Sequence, residues 1–468
     1  VRVFWWSKIM ADDSFYALIT EALPQLQREF ASLPSGPGTS GWLDDPAAMS
    51  GILGEVASRM ADNYPYFHPL YAGQMMKPPH PIARAAYAMA MWINPNNHSL
   101  DGGRASSRFE VEAVAEIAAM FGWEGHLGHL TGGGTVANLE ALWVAGQLHP
   151  GKRIVASSQA HYTHSRISGV LGLKFSPIAV DRRGRMDLDR LEDELRRGDV
   201  GTVVATLGTT AIGSVDPLDR IVALREKYGF RLHVDAAYGG YFKLVPTISP
   251  EAVVAFAAVG EADSIVIDPH KHGLQPYGCG CVIFRDPAVG RFYKHDSPYT
   301  YFSSAELHLG EITLECSRAG AAAVALWATQ RLLPLVPEGE FSRGLGRCRE
   351  AALRMFERIE GDGRFVTAFE PELDILFWGV KASSVAEASR LAQAIFDEAA
   401  KRDLHLALAQ LPVGLFPEGT WPDAASNATV TCLRSVLMKP EHLDWVGRIW
   451  ETLIAACEVC LLQSCQAS

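Results

Sequence analysis

No run of about twenty apolar residues occurs anywhere in the chain, so a conventional membrane-spanning helix is not expected. Internal repeats and low-complexity segments are missing too, which sets aside solenoids and fibrous arrays. Cysteine is sparse: eight in 468 residues is not the density of a disulfide scaffold, and reduced thiols fit a cytoplasmic setting. Cys279-Gly280-Cys281 sits in an apolar strand pattern and reads as core. Cys457 and Cys460, with Cys465 beyond, have no second ligand pair, so no metal site is expected. Positive charge is in deficit, with 42 Lys and Arg against 53 Asp and Glu. The net charge of −11 argues against nucleic acid or an anionic membrane as partner. The apolar start, Val1 to Trp6, is too short for a secretory signal.

What remains is an ordinary globular composition, 48% hydrophobic and 20% charged, on a chain too long for a single compact core. Asp12 or Asp13 caps a helix through about Phe30, kinked or broken at Pro24, and five prolines between Tyr64 and Pro81 exclude regular helix there. Ser107-Arg108-Phe109-Glu110 has the form of a capping box. From there short apolar strands alternate with helices: Ile154–Ser157, Thr202–Thr206, Leu232–Val234, Ser264–Ile267 and Cys281–Phe284 read as strands. That alternation predicts an α/β fold with a mostly parallel sheet covered on both faces. Beyond about residue 330 the pattern changes to long amphipathic helices, Phe341–Ile359 and Val385–Lys401, with few strands. The expected organisation is an N-terminal arm over 1–75, a large domain over 76–330 and a small α+β domain over 331–468.

Lys271, in Asp268-Pro269-His270-Lys271-His272-Gly273, is the most informative residue. It follows an apolar strand, where a lysine is costly to desolvate without a partner or a covalent role. His233-Val234-Asp235-Ala236-Ala237-Tyr238 puts an acid at the end of another strand. A carboxylate there can keep a pyridine nitrogen protonated, and the small alanines leave room for a flat ring. Thr131-Gly132-Gly133-Gly134-Thr135 opens a helix, and backbone N–H groups at such a turn bind phosphate. Taken alone, a glycine turn is as often structural as functional. Neither the P-loop nor the Gly-x-Gly-x-x-Gly spacing is present. His161 follows the strand Ile154–Ser157, placed to stack on a cofactor ring, and Thr206-Leu207-Gly208-Thr209-Thr210 brings hydroxyls to another strand end. His161-x-x-His164 lacks an acidic third ligand nearby and does not read as a metal pair. All these groups fall at C-terminal strand ends, where open α/β sheets bind ligands. Amine, acid and phosphate cradle together point to pyridoxal 5'-phosphate (PLP).

With these motifs in hand, the chain resembles the group II PLP-dependent amino-acid decarboxylases, the aromatic-amino-acid and glutamate decarboxylase-like family, over roughly residues 60–445. The resemblance rests on Thr131–Asn138, His161-Tyr162-Thr163, Gly208-Thr209-Thr210, His233–Tyr238 and Pro269-His270-Lys271 in the family's order and spacing. It implies fold type I of the PLP-dependent transferases, with a seven-stranded sheet in the large domain. It implies that Lys271 carries the cofactor as a Schiff base, Asp235 holds the pyridinium, and His161 and Ala237 lie on opposite ring faces. Gly133, Gly134 and Thr135 would bind phosphate, with Thr210 at the cofactor's polar edge, Asp268 near the phosphate, and His270 on phosphate or substrate carboxylate. Tyr299 or Tyr301 would help return a proton to the substrate carbon. Arg434 would bind a substrate carboxylate, and Arg318 would help shape the site.

The implied activity is decarboxylation of an L-amino acid to an amine and carbon dioxide, by a cytoplasmic homodimer whose subunits share their active sites. A Cα–Cβ lyase is the alternative, and a catalytically silent PLP-binding protein a more distant one. Departures concern the substrate: Asp268 stands where the family often has Asn, Gly132 replaces a common serine, and His272 and Gln275-Pro276-Tyr277 differ from the aromatic branch. His68, His80, His98, Arg104, Tyr66 and Phe67 are candidate pocket residues, and Arg104 suits an acidic substrate as Tyr66 and Phe67 suit an aromatic one.

Overall fold

The computed structural model describes residues 13–33, 45–294, 312–425 and 427–467. Two helices, α1 (Asp13–Glu29) and α2 (Pro46–Met60), lead the chain, and α1 runs through Pro24. Two more, α3 (Pro81–Ile93) and α4 (Arg104–Met120), precede the first strand. Gly103, not Ser107, is the N-cap of α4. The expected capping box therefore does not form: Glu110 is buried and used elsewhere, as described below.

The large sheet takes seven strands in the order β1-β7-β6-β5-β4-β2-β3. They are β1 (Leu127–Thr131), β2 (Arg153–Ser157), β3 (Lys174–Ile178), β4 (Val200–Thr206), β5 (Arg231–Asp235), β6 (Ser264–Ile267) and β7 (Gly280–Phe284). From β3 to β6 every pairing is parallel, while β7 runs antiparallel to both β6 and β1. Two reversals restore direction, so β1 points the same way as β6. Its C-terminal end therefore opens on the same edge as those of β2, β4, β5 and β6.

Helices α5 (Gly134–Leu148), α6 (Thr163–Val170), α7 (Leu188–Leu195), α8 (Leu218–Tyr228) and α9 (Pro250–Ala257) fill the crossovers. Gly229 ends α8 in the left-handed conformation at φ 72°, a C-terminal stop that glycine adopts without strain. All residues of β5, β6 and β7 are buried, as expected for strands covered on both faces. Sequence reading missed β1 and β3. In β1, Gly128 and His129 break the apolar run, and β3 contains Pro177 and an exposed Lys174.

Helix α10 (Gly320–Leu332) continues across the expected boundary at residue 330, and the small-domain elements begin with α11 (Glu340–Glu360). A four-stranded antiparallel sheet follows in the order β10-β11-β9-β8, built from β8 (Phe365–Thr367), β9 (Ile375–Val380), β10 (Ala407–Pro412) and β11 (Thr429–Val436). Helices α12 (Val385–Ala400) and α13 (His442–Ala467) share its apolar core through Leu391, Ile395, Leu453 and Cys457. Cys279 and Cys281 are buried in the large core, as read from their strand pattern.

Candidate active site

The strand ends converge on a cavity of about 300 Å³ lined by Gly132 to Val136, His161, Thr206, Thr210, Asp235, Ala237, His270 and Lys271, among others. This edge collects the residues because β1, β2, β4, β5 and β6 all end there. A ligand at the edge of an open parallel sheet sits where backbone groups turn outward and side chains from several strands meet.

At β1's end the chain turns through Gly133, at φ 154°, into α5. The turn is closely pressed from below. A Cβ on Gly134 would lie 2.7 Å from Asp268 Oδ2, and one on Gly280 would lie 2.5 Å from the Gly133 carbonyl carbon. A side chain at Gly280 would push into the turn and one at Gly134 would displace the Asp268 carboxylate, so glycine backbone lines this part of the cavity. Gly208, at φ 96°, makes the equivalent close pass after β4, where a Cβ would meet the Gly239 nitrogen at 3.1 Å.

Asp235, buried at the end of β5, accepts a bond from its own chain at Ala237 N (3.1 Å) and another from His164 Nε2 (2.8 Å). A carboxylate only accepts, so His164 is the donor and carries its proton on Nε2. Burial pushes the Asp235 pKa up, but the His164 bond and charge, with Lys271, outweigh it and hold the carboxyl well below the usual range. Asp235 is therefore an anion at neutral pH. His164 was set aside in the sequence as half of an unconvincing metal pair. Its spacing was the available signal: three residues after His161, on the first turn of α6, it points inward while His161 lines the cavity.

Lys271 Nζ lies 3.0 Å from Asp268 Oδ2. Burial depresses the lysine's pKa, yet the Asp268 charge and hydrogen bond more than offset this and raise it above the ordinary value. Asp268 Oδ1 and His270 Nδ1 are buried without a hydrogen-bond partner among the described residues. Burial holds both His270 and His161 below the ordinary histidine pKa, which favours their neutral forms. Tyr277, missed as a site residue, packs its ring 4.8 Å from the His270 ring and donates to the Met75 carbonyl at 3.1 Å.

Neither Arg434, expected at a substrate carboxylate, nor Arg318, expected to help shape the site, is among the residues that line the cavity. Arg318 is held by Glu110 (2.5 Å) and the carbonyl of Leu130 (2.8 Å), with Asn97 O at 3.3 Å. It thereby braces the end of β1 against α4. Arg434 donates to the carbonyls of Thr210 (2.6 Å), Ala211 (2.8 Å) and Gly73 (3.2 Å). It ties β11 to the loop that presents Thr210. Tyr299 and Tyr301 lie outside the described residues.

These features fit PLP. A side-chain-free turn suits its phosphate, an ionised Asp235 suits a pyridinium, the amine of Lys271 suits its aldehyde, and buried His270 Nδ1 awaits a partner; the Asp268 carboxylate beside the turn is the feature that does not suit a phosphate. Comparison with known proteins agrees: residues 45–380 match the family model of the pyridoxal-dependent decarboxylase conserved domain. The chain belongs to the pyridoxal-dependent decarboxylases. It is similar to the L-tyrosine decarboxylase of Enterococcus faecium, 28% identical over 464 aligned positions that cover 75% of this chain and 76% of that one. A protein of Methanothrix thermoacetophila described as a probable L-tyrosine/L-aspartate decarboxylase is 33% identical over 282 positions, covering 59% and 68%. The fold is shared with TDC of Oryza sativa, solved with PLP and tryptamine, at a TM-score of 0.76, 17% identity and coverage of 96% and 98%. Mouse CSAD shares it at a TM-score of 0.74, 21% identity and coverage of 92% and 91%. The enzyme is thus a PLP-dependent amino-acid decarboxylase of fold type I. No helix among the described residues is long and apolar enough to cross a membrane.

Proposed function

We propose that this decarboxylase acts on an aromatic L-amino acid, with L-tyrosine the first candidate. The observation that carries the reading is the makeup of the cavity. Apart from Lys271, no lysine or arginine is found among its described lining residues, and both nearby arginines are spent on carbonyls or on Glu110. An acidic side chain would enter with no countercharge. Outside the lining itself, the exposed ring of Tyr277 packs against His270, and Tyr66 and Tyr71 pack edge to face at 4.9 Å in the loop beyond Tyr64. The relatives described as L-tyrosine decarboxylases support the same class.

Bound PLP supplies an electron sink for the pair left on Cα as carbon dioxide departs. The chain's residues do the rest. Lys271 would hold the cofactor through its amine and leave it to the substrate amine. Asp235 would set a negative charge against the ring nitrogen, and His164 would keep Asp235 ionised and oriented. The glycine turn and Thr135 would bind the phosphate through N–H and hydroxyl groups. His161 and Ala237 would confine the ring and so orient the substrate. Tyr299 or Tyr301, outside the described residues, would help return a proton to the substrate carbon.

The same reading includes a homodimer with shared sites. Helix α2 buries none of its residues, and Met49, Ile52, Leu53, Val56 and Met60 are exposed along it. An apolar stripe of this kind on a soluble chain marks a face that packs against another surface.

The test is amine and carbon dioxide formation from L-tyrosine, L-phenylalanine, L-tryptophan, L-aspartate and L-glutamate, with Lys271→Ala alongside. Turnover of the aromatic acids that vanishes in the variant is expected. Turnover of the acidic pair alone would reject the aromatic assignment, and a monomer by light scattering would reject the shared sites.

A further inference from the structure

A second cavity, about 490 Å³, lies behind the lysine loop, between Lys77–Pro81, the start of α11 and the turn Lys439–Glu441. It gathers cations that the chain leaves uncompensated. Lys439 is almost fully buried, and its Nζ reaches only the Tyr71 carbonyl (2.6 Å) and, at 5.3 Å, the Tyr71 ring. Lys77 Nζ reaches only the Met438 carbonyl, at 3.3 Å. Neither lysine has a carboxylate within ion-pair distance among the described residues. Arg343 and Arg347 stand at the same cavity: the first is bonded to the Glu338 carbonyl, and the second is paired with Asp444 at 2.8 Å.

Two carboxylates, Glu340 and Glu441, also line it; Arg347 is already paired with Asp444, so Lys77, Lys439 and Arg343 are the lining cations with no carboxylate at ion-pair distance among the described residues. A further polar group points to a ligand independently. His272 is fully buried and lines the cavity, and its Nδ1 has no hydrogen-bond partner among the described residues. Its other nitrogen, Nε2, sits 3.2 Å from Asp374 Oδ2.

Burying an ammonium group without a countercharge is costly, and Lys439 is buried while Lys77 is partly so. The strain is visible in Lys439, whose pKa is brought down to about 7 by burial and then by Lys77. A bound oxyanion would relieve it, accepting from both ammoniums and from His272.

We propose that this cavity is a binding site for a small oxyanion, a phosphate or a carboxylate, separate from the cofactor's phosphate cradle. Its geometry also ties it to the active site. Tyr238 lines the catalytic cavity and donates to Asp374 Oδ1 at 2.6 Å, and Asp374 in turn stands against His272, the residue after the catalytic lysine.

Holoenzyme is titrated with inorganic phosphate and, separately, with succinate, against chloride at equal ionic strength, while thermal stability and cofactor absorbance are followed. A saturable rise in Tm with unchanged cofactor absorbance is expected for at least one of the two oxyanions. Which of them acts distinguishes phosphate from carboxylate. Lys77→Met should weaken the apparent affinity about tenfold or more. Arg343→Gln, on an exposed face of α11, should weaken it less and serves if Lys77→Met does not fold. No saturable response to either ion, or one undiminished in the folded variants, overturns the proposal.

Discussion

His164 Nε2 stands 2.8 Å from Asp235 Oδ2, with both groups sealed from solvent. The carboxylate proposed to serve the cofactor thus has a dedicated donor, and His164 Nδ1 makes no competing bond among the described residues. A hydrogen bond to a charged group contributes about 1.5–3 kcal/mol. His164→Phe keeps a ring in the space and removes the donor, so PLP should bind roughly ten- to a hundredfold more weakly. Equilibrium titration of the apoenzyme, read by the absorbance of bound cofactor, checks this. His164→Gln, which restores an N–H, should recover part of the affinity. Equal loss in both variants would show that the residue matters only as packing.

Asp268 sets the state of Lys271. With Oδ2 at 3.0 Å it raises the lysine's pKa above the ordinary value despite burial, so the resting amine is protonated at neutral pH. Capture of PLP requires the neutral amine. Asp268→Asn removes the opposing charge, and the lysine's pKa should fall. The pH midpoint of cofactor capture should move down, and capture at neutral pH should quicken by about tenfold for each unit moved. The same change removes an anion from beside the glycine turn, which also favours phosphate. Stopped-flow capture rates across pH decide it, and an unmoved midpoint would free Asp268 of this role.

Much of this site was legible because its chemistry is local. Lys271, Asp235 and His161 each follow an apolar strand, and the strand pattern places them at one edge, while the glycine turn stood out by its composition alone. What escaped depends on long-range contacts. The His164–Asp235 bond joins α6 to β5 across the sheet, and nothing near His164 in sequence announces an acid. Glu110 followed a serine at capping-box spacing, and only the arrival of Arg318, far along the chain, reveals its use. Strands β1 and β3 were missed because edge and near-edge strands tolerate the glycine, proline and charge that weaken an apolar signal.

Arg318 offers a direct test of shaping against substrate binding. Its side chain and that of Glu110 are 8% and 1% exposed, and Glu110 also accepts from Leu130 N and Asn97 Nδ2. Arg318→Met strands a buried carboxylate, so unfolding in urea should show a loss of about 3–5 kcal/mol. Adding Glu110→Gln should return part of that stability. The KM of the surviving enzyme should change little, whereas a group touching substrate would raise it sharply.

His442 opens α13 from a fully buried position, where its Nδ1 accepts from Lys439 N at 3.2 Å. Burial, then the charge of Lys439, brings its pKa down to about 3. The unfolded chain takes up this proton near the ordinary value of about 6.5, while the native state refuses it. Between those two values the unfolded state binds more protons, so stability rises with pH and falls on acidification. One such histidine costs about 1 kcal/mol between pH 6 and 5, a window above the range where ordinary carboxylates titrate. Several other histidines, His233 among them at about 3, add to the slope in the parent protein. Only the difference on substitution therefore isolates His442. His442→Asn keeps an acceptor for Lys439 N and removes the titrating ring. Urea midpoints at several pH values should show a slope reduced by about one proton in the variant. Parallel slopes would mean that His442 binds its proton in the native state as readily as in the unfolded chain.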